Sequence, residues 1–319
     1  MKIDTDNNLI IPGSLEISDL KAIKVLGELN KVEDFLQGQL TSDISLLNNG
    51  ASQLSCICDH KGQIMADFIV LRQDNDFFII IQKDLISIFT SELEIFAKFG
   101  SVSFDICDHK IIGEIYNKGD SNNYYYSNDE FELSLYLKKS NYKNKNSINL
   151  DMWNAANKIL GILHLDKSDS GKFRPLEINY DKQRVSFEKG CFRGQEIVAR
   201  MKYLGIDRRK FCTFIVNNDF VENDLIKSIG KIINLDDKKV FNGIIKKDDI
   251  VLLISNSGET DEIINMRTYK DSFDLDIISS YYIFSGLDIP KIFAAFFWSS
   301  KFPEKRRLQK LIAFLPSIG

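Results

Sequence analysis

Ser186-Phe187-Glu188-Lys189-Gly190-Cys191-Phe192-Arg193-Gly194-Gln195-Glu196-Ile197-Val198-Ala199-Arg200 is the stretch of this sequence richest in chemistry. Two glycines bracket one cysteine, so the backbone can turn sharply and approach a ligand closely. From Gln195 onward the residues read as a helix, which places Cys191 just before a helix start. Unsatisfied N–H groups at such a start favour a thiolate, and so do the sequence neighbours Lys189, Arg193 and Arg200. The expectation is a functional thiol at Cys191, tuned or oriented by Lys189 and Arg200, in a loop shaped by Gly190 and Gly194. The plainer alternative is an inert cysteine in a tight turn.

Other reactive residues are scattered. Cys56-Ile57-Cys58 has one residue between its cysteines and no second pair nearby, so alternation on a buried strand suits it better than a zinc knuckle. His60, His109 and His164 have no carboxylate or cysteine at ligand spacing, and no metal site or catalytic triad can be drawn. Ile254-Ser255-Asn256-Ser257-Gly258-Glu259-Thr260 has the residue types of a phosphate-binding loop. Its short strand-like flanks favour a hairpin turn instead. Arg200, Lys202, Arg208, Arg209 and Lys210 form a basic cluster that suits RNA, an acidic partner or a solvated loop equally.

The elements that must hold these residues follow from pattern. Leu15 to Val25 contains short strand-like stretches, and Val32–Leu36 begins a helix that runs into Gln37-Gly38-Gln39. Gln53–Cys58 and Ile64–Leu71 read as a hairpin joined by Asp59-His60-Lys61-Gly62, where glycine supplies the positive φ of a tight turn. Phe77–Ile81 is a third strand. Leu85, Ile88, Phe89, Leu93 and Phe96 give Leu85 to Phe99 the spacing of an amphipathic helix. Val102 to Leu137 is strand-rich and broken by a loop at 119–123; residues 140–149 read as a surface loop, and Leu150 to Leu163 returns to helical spacing. Short alternating strands such as Phe211–Val216 and Lys231–Leu235, continuing to about Ile283, suggest a small barrel. The tail from Phe284 carries an aromatic run and then Lys301, Lys305, Arg306, Arg307 and Lys310; it suits a helix docking on a partner or membrane surface, one packing on its own domain, or a loose extension.

The whole-chain numbers bound the reading. At 319 residues there is room for two or three modest domains. A net charge of −4 argues against stable, wholesale nucleic-acid binding, which needs a broad positive field. The N-terminal residues lack a secretory pattern, and no apolar run reaches the roughly 18 residues of a membrane span. Five sparse cysteines (56, 58, 107, 191 and 212) in such a chain read as reduced thiols in the cytoplasm.

Lys189-Gly190-Cys191-Phe192-Arg193-Gly194-Gln195-Glu196, continued by Val198-Ala199-Arg200 and Lys202, resembles the signature of the YgfZ family, which includes mitochondrial iron–sulfur assembly factors. Upstream, Asp166, Ser170-Gly171-Lys172-Phe173 and Pro175 resemble the segment that leads into it in bacterial members. Gln37-Gly38-Gln39-Leu40-Thr41-Ser42-Asp43 resembles a second family stretch, and Cys58-Asp59-His60-Lys61-Gly62-Gln63-Ile64 resembles the family's hairpin turn. The matches fall in order over roughly 15–283.

The resemblance implies an α+β, three-lobed fold like that of the glycine-cleavage aminomethyltransferase, closed by the C-terminal β-barrel. The lobes would be 1–104, folate-binding and completed by part of 150–205; 105–206, with the cysteine loop; 207–283, the barrel; and 284–319, the tail. It also implies tetrahydrofolate, or a one-carbon derivative, as ligand. Trp153 matches a tryptophan associated with folate, and an indole can stack on a pterin, though a core position on the helix suits it equally. A second family tryptophan is Leu20 here. Asp67 is what remains of an acidic pair in Gly62-Gln63-Ile64-Met65-Ala66-Asp67, because Ala66 replaces its partner; it suits a pterin amide or a strand edge. Asp67, Trp153, Gln195 and Glu196 are the folate-binding candidates. The implied function is that of a monomeric accessory factor for iron–sulfur cluster assembly or repair, touching a cluster transiently and serving iron–sulfur enzymes that include tRNA-methylthiolating ones. The alternative is a folate-dependent one-carbon transferase of unknown acceptor. Glycine-cleavage activity is not expected.

Overall fold

The structure, a computed structural model, describes residues 9–121, 124–138, 146–205, 209–218, 220 and 227–246. The chain divides into two compact units, and all described residues belong to the first, Met1–Lys247 with Asn265–Arg267. In chain order the strands and α-helices are β1 (Gly13–Glu16), β2 (Leu20–Leu26), α1 (Leu29–Gln39), β3 (Ser52–Cys58), β4 (Ile64–Gln73), β5 (Asp76–Gln82), α2 (Ile86–Phe99), β6 (Ser103–Cys107), β7 (Lys110–Asn117), β8 (Tyr126–Ser127), β9 (Phe131–Lys138), α3 (Leu150–Ile159), α4 (Tyr180–Gln183), α5 (Gln195–Leu204), β10 (Arg209–Asn217), β11 (Lys227–Leu235) and β12 (Lys238–Lys246).

They form three antiparallel sheets in a mixed α/β architecture: β3-β4-β5-β2-β6, β1-β7-β9-β8 and β10-β12-β11. The five-stranded sheet is apolar on both faces, which explains why Phe77-Phe78-Ile79-Ile80-Ile81 shows no polar alternation. Phe77, Ile79 and Ile81 enter a core with α1 and α2, where the Phe68 and Phe89 rings meet edge to face at 5.2 Å. Phe78 and Ile80 enter a second core with α3 and the four-stranded sheet. β4 divides likewise, with Ala66, Phe68 and Val70 in the first core and Ile69 and Leu71 in the second. Each of these phenylalanine, isoleucine, leucine and valine side chains contributes about 1.5–3 kcal/mol over its exposed state.

The expected hairpin is present as β3 and β4, and Gly62 in its turn has φ +71°. α2 is amphipathic, but its buried stripe is Phe89, Leu93 and Ala97; Phe96 falls off that stripe and is 40% exposed. α3 begins where Asn149 Oδ1 accepts the Met152 N–H at 2.8 Å, a cap that the apolar spacing alone did not mark. Three strands of the expected 207–283 barrel are described; its remainder, the turn at 254–260 and the tail at 284–319 lie outside the described residues. Of the loop expected at 140–149, residues 146–149 are described. No helix among the described residues is long and apolar enough to cross a membrane.

Candidate functional site

The cysteine loop is bound at each end to a distant part of the chain. On its upstream side the Ser186 N–H donates to Thr41 O at 2.9 Å, and the Thr41 hydroxyl donates to Arg184 O at 2.7 Å. Lys189 then turns inward. Its Nζ donates to Gln37 O and Leu40 O, each at 2.6 Å, and to Ser42 O at 3.0 Å. These carbonyls lie at and just beyond the C-terminus of α1, where a helix leaves acceptors unsatisfied, so Lys189 caps a helix more than a hundred residues away in sequence. Burial pulls its ammonium down to about 8, with Asp43 opposing the shift.

Downstream, Gly194 stands at the N-cap of α5 with φ +83°, and Val198 of that helix is buried. A Cβ at Gly194 would lie 2.4 Å from Asp59 O, in the β3–β4 turn. The turn presses back on the helix, since a Cβ at Gly62 would stand 3.2 Å from Ile197 and Val198 atoms. The Ile64 N–H donates to Phe173 O and the Gly171 N–H to Ile64 O, both at 2.8 Å, and Ser170 Oγ donates to Met65 O at 2.7 Å. The segments 37–43, 58–67, 170–175 and 184–198 therefore meet at one place, although sequence separates them widely.

Cys191 is exposed at that place, between buried Lys189 and buried Phe192. The three cations expected to surround its thiol are engaged elsewhere. Lys189 caps α1. Arg193 pairs with the Glu92 carboxylate, donates to Glu92 O at 3.1 Å and lies over the Phe96 ring at 5.6 Å. Arg200 pairs with Glu196 one helical turn away at 2.8 Å. Lys189 thus positions the loop, and Arg200 makes an exposed pair worth about 0.3–0.5 kcal/mol. The loop glycines also divide. Gly194 is required by its φ and its close approach, whereas a Cβ at Gly190 meets nothing within 4 Å.

Lys189→Met should cost roughly 2–3 kcal/mol, because it keeps the stem but leaves buried carbonyls without their donor. Urea unfolding measures the loss. Alkylation of Cys191 in the folded state should accelerate as the loop loosens.

The folate candidates do not converge on a cavity. Asp67 sits on interior strand β4 with its side chain fully buried, so it is not a strand-edge residue. Arg184 Nη2 stands 3.1 Å and His164 Nδ1 3.3 Å from Oδ2, and the Leu165 N–H donates to Oδ1 at 3.1 Å. Burial pushes the carboxyl up, but Arg184, His164 and the Leu165 N–H more than offset it and hold Asp67 below its ordinary range. Trp153 is 4% exposed in the second core, and a Cβ on Gly113 would stand 2.9 Å from its ring. Gln195 opens α5 half-buried, and Glu196 is exposed beside Arg200. Two clefts among the described residues, of about 510 and 310 Å³, are lined by none of the four. As placed here, these residues do not fit tetrahydrofolate. Leu20, where the family has its second tryptophan, lies half-buried on β2 against the second core.

Arg184 and Tyr180 were not singled out by sequence reasoning, Thr41 entered only within the stretch at 37–43, and His164 was set aside for want of a nearby carboxylate although the fold brings it to Asp67. Arg184 is fully buried, donates to Ser55 O, Phe68 O and Leu163 O at 3.0–3.1 Å, and stacks over the Tyr180 ring at 4.5 Å. Its sequence neighbourhood, Asp181-Lys182-Gln183 before it and Val185-Ser186-Phe187-Glu188 after it, gives no signal of burial. Cys56 and Cys58 are buried on β3 as their alternation suggested, and Cys56 Sγ lies 3.2 Å from the Thr41 hydroxyl. Lys202 of the basic cluster pairs with Asp181 at 2.9 Å. Among the described residues no group of three or more His, Cys, Asp or Glu is arranged to hold a metal ion.

No family model matches the chain. It is 32% identical over 211 residues to an uncharacterized protein of Haemophilus influenzae, covering 63% of this chain and 73% of that one. It is 27% identical over 213 residues to the tRNA-modifying protein YgfZ of Klebsiella pneumoniae, covering 57% and 65%. Among solved structures, the glycine cleavage system aminomethyltransferase T of Bartonella henselae superposes with a TM-score of 0.48 at 16% identity, over 76% of this chain and 80% of that one.

Proposed function

The chain belongs to the YgfZ family, and from that premise we propose that it is an accessory protein in tRNA modification, supporting the iron–sulfur enzymes that carry it out. The observation that carries the proposal is the exposed Cys191 held between two buried anchors, Lys189 and Phe192. A thiol presented on a fixed loop suits contact with another macromolecule better than small-molecule turnover, because the ordering cost of docking is largely met in the free protein. The thiolate is a soft ligand for iron at a partner's cluster. It can equally attack a partner disulfide, forming a mixed disulfide and releasing the partner's other sulfur as thiolate. Such chemistry belongs in the cytoplasm, where thiols stay reduced.

No step of this proposal runs through tetrahydrofolate. A folate seated as the resemblance implies would need Asp67 and Trp153, and both are enclosed. The aminomethyl-transfer alternative is not supported by any observed geometry, since the acid left to it is already ion-paired.

The test is complementation of a bacterial strain lacking its own YgfZ. Cys191→Ser, produced at the level of the unmodified chain, should leave methylthiolated tRNA nucleosides at the level of the empty vector. Full restoration by Cys191→Ser, read by mass spectrometry of digested tRNA, would sink the thiol role.

A further inference from the structure

The buried cluster around Asp67 is built like a receptor. A carboxylate lies on one side, the carbonyls of Ser55, Phe68 and Leu163 gather around it, and the Tyr180 ring forms a floor 4.5 Å from what occupies the centre. Carboxylate, carbonyls and an aromatic face together recognise a planar group rich in N–H donors: a guanidinium, or the amidine edge of a 2-amino-4-oxopteridine. The occupant is the chain's own Arg184. Its side chain is 0% exposed, and its four recorded side-chain contacts to these acceptors all fall between 3.0 and 3.1 Å.

The filler is fixed at its backbone as well. The Arg184 N–H donates to Tyr180 O at 2.7 Å, and Arg184 O accepts the Thr41 hydroxyl at 2.7 Å. Swinging the guanidinium aside would take a donor from the Ser55 and Phe68 carbonyls and the ion-pair partner from the Asp67 carboxylate in a dry interior, leaving Leu163 O only the Tyr180 hydroxyl, a cost that a small ligand would have to exceed. We infer that Arg184 takes, from within the chain, the seat beside Asp67 that a ligand with an amidine N–H edge would need, so that the protein binds no pterin at Asp67. This inference is independent of the role proposed for Cys191.

Two experiments on the full chain test it. Calorimetric titration of the unmodified protein with 5-formyltetrahydrofolate, paired with amide hydrogen exchange, should show no saturable heat that also changes exchange at Leu165, whose N–H Asp67 holds. Saturable heat with a changed Leu165 rate would overturn the inference. Saturable heat with that amide unaltered places the ligand elsewhere and sustains it. In the second experiment Arg184→Ala vacates the seat. Methylguanidinium or 2-amino-4-oxopteridine, at about five times its dissociation constant, should then raise the variant's Tm by about 2–4 °C while leaving the unmodified chain unmoved. A folded Arg184→Ala variant that responds to neither ligand would also overturn it; if that variant does not fold, the first experiment decides alone.

Discussion

Arg184→Met should destabilise the protein by about 3–5 kcal/mol, because it leaves the Asp67 carboxylate charged, buried and without its main partner. Asp67→Asn should cost a similar amount for the complementary reason, stranding a guanidinium that is 0% exposed. The double variant should lose less than the sum of the two, since neither charge is then left alone. Urea unfolding of the four proteins measures the coupling, and strict additivity would show that the pair does not act as one unit.

The same pair sets an acid limit. Asp67 titrates below 3.8 in the fold and near it when unfolded, so the unfolded chain binds the extra proton first as pH falls. Its contribution is therefore complete above the unfolded value and is lost as pH drops through the lowered folded value. The double variant should show a shallower loss of stability below pH 3.8 than the unmodified chain.

Gly194→Ala is the second large effect, roughly 2–4 kcal/mol, combining a strained φ of +83° with overpacking against Asp59 O at 2.4 Å. The neighbouring atoms are backbone or lie close to it, so the clash cannot be relieved by turning a side chain: either α5 shifts or the hairpin turn does. Gly190→Ala, five residues upstream of the helix start, should stay within about ±0.5 kcal/mol because its Cβ enters open space. Thermal unfolding of the two variants separates a required glycine from a tolerated one. Equal losses would mean that the loop has a different shape.

That contrast shows what the sequence made legible. The hairpin, the turn at Gly62, helix α2 and the start of α5 are local patterns, and each appears where periodicity and turn chemistry placed it. Lys189 was legible as a cation that orients the loop but not by its route, because a four-carbon stem carries the ammonium to the end of α1 and no spacing rule points there. Arg184 escaped notice for the same reason: its partners come from residues 55, 67, 68 and 163, and no spacing rule joins those positions. Asp67 was legible as an acid but not as a paired one. Phe96 was assigned to the buried side of α2, and only the fold shows it carrying Arg193 outside.

The inward turn of Lys189 also bears on how the protein forms. Its bonds to Gln37, Leu40 and Ser42 join residues separated by 147 to 152 positions, so they close some of the longest loops in the described structure. Contacts of that range form late, after shorter-range hairpins and helices have already condensed. During synthesis the first half of the chain can assemble its sheet and helices, yet α1 stays uncapped until residue 189 has emerged and reached back. The cysteine two positions further on is consequently held in place only in a molecule whose helix α1 is already built.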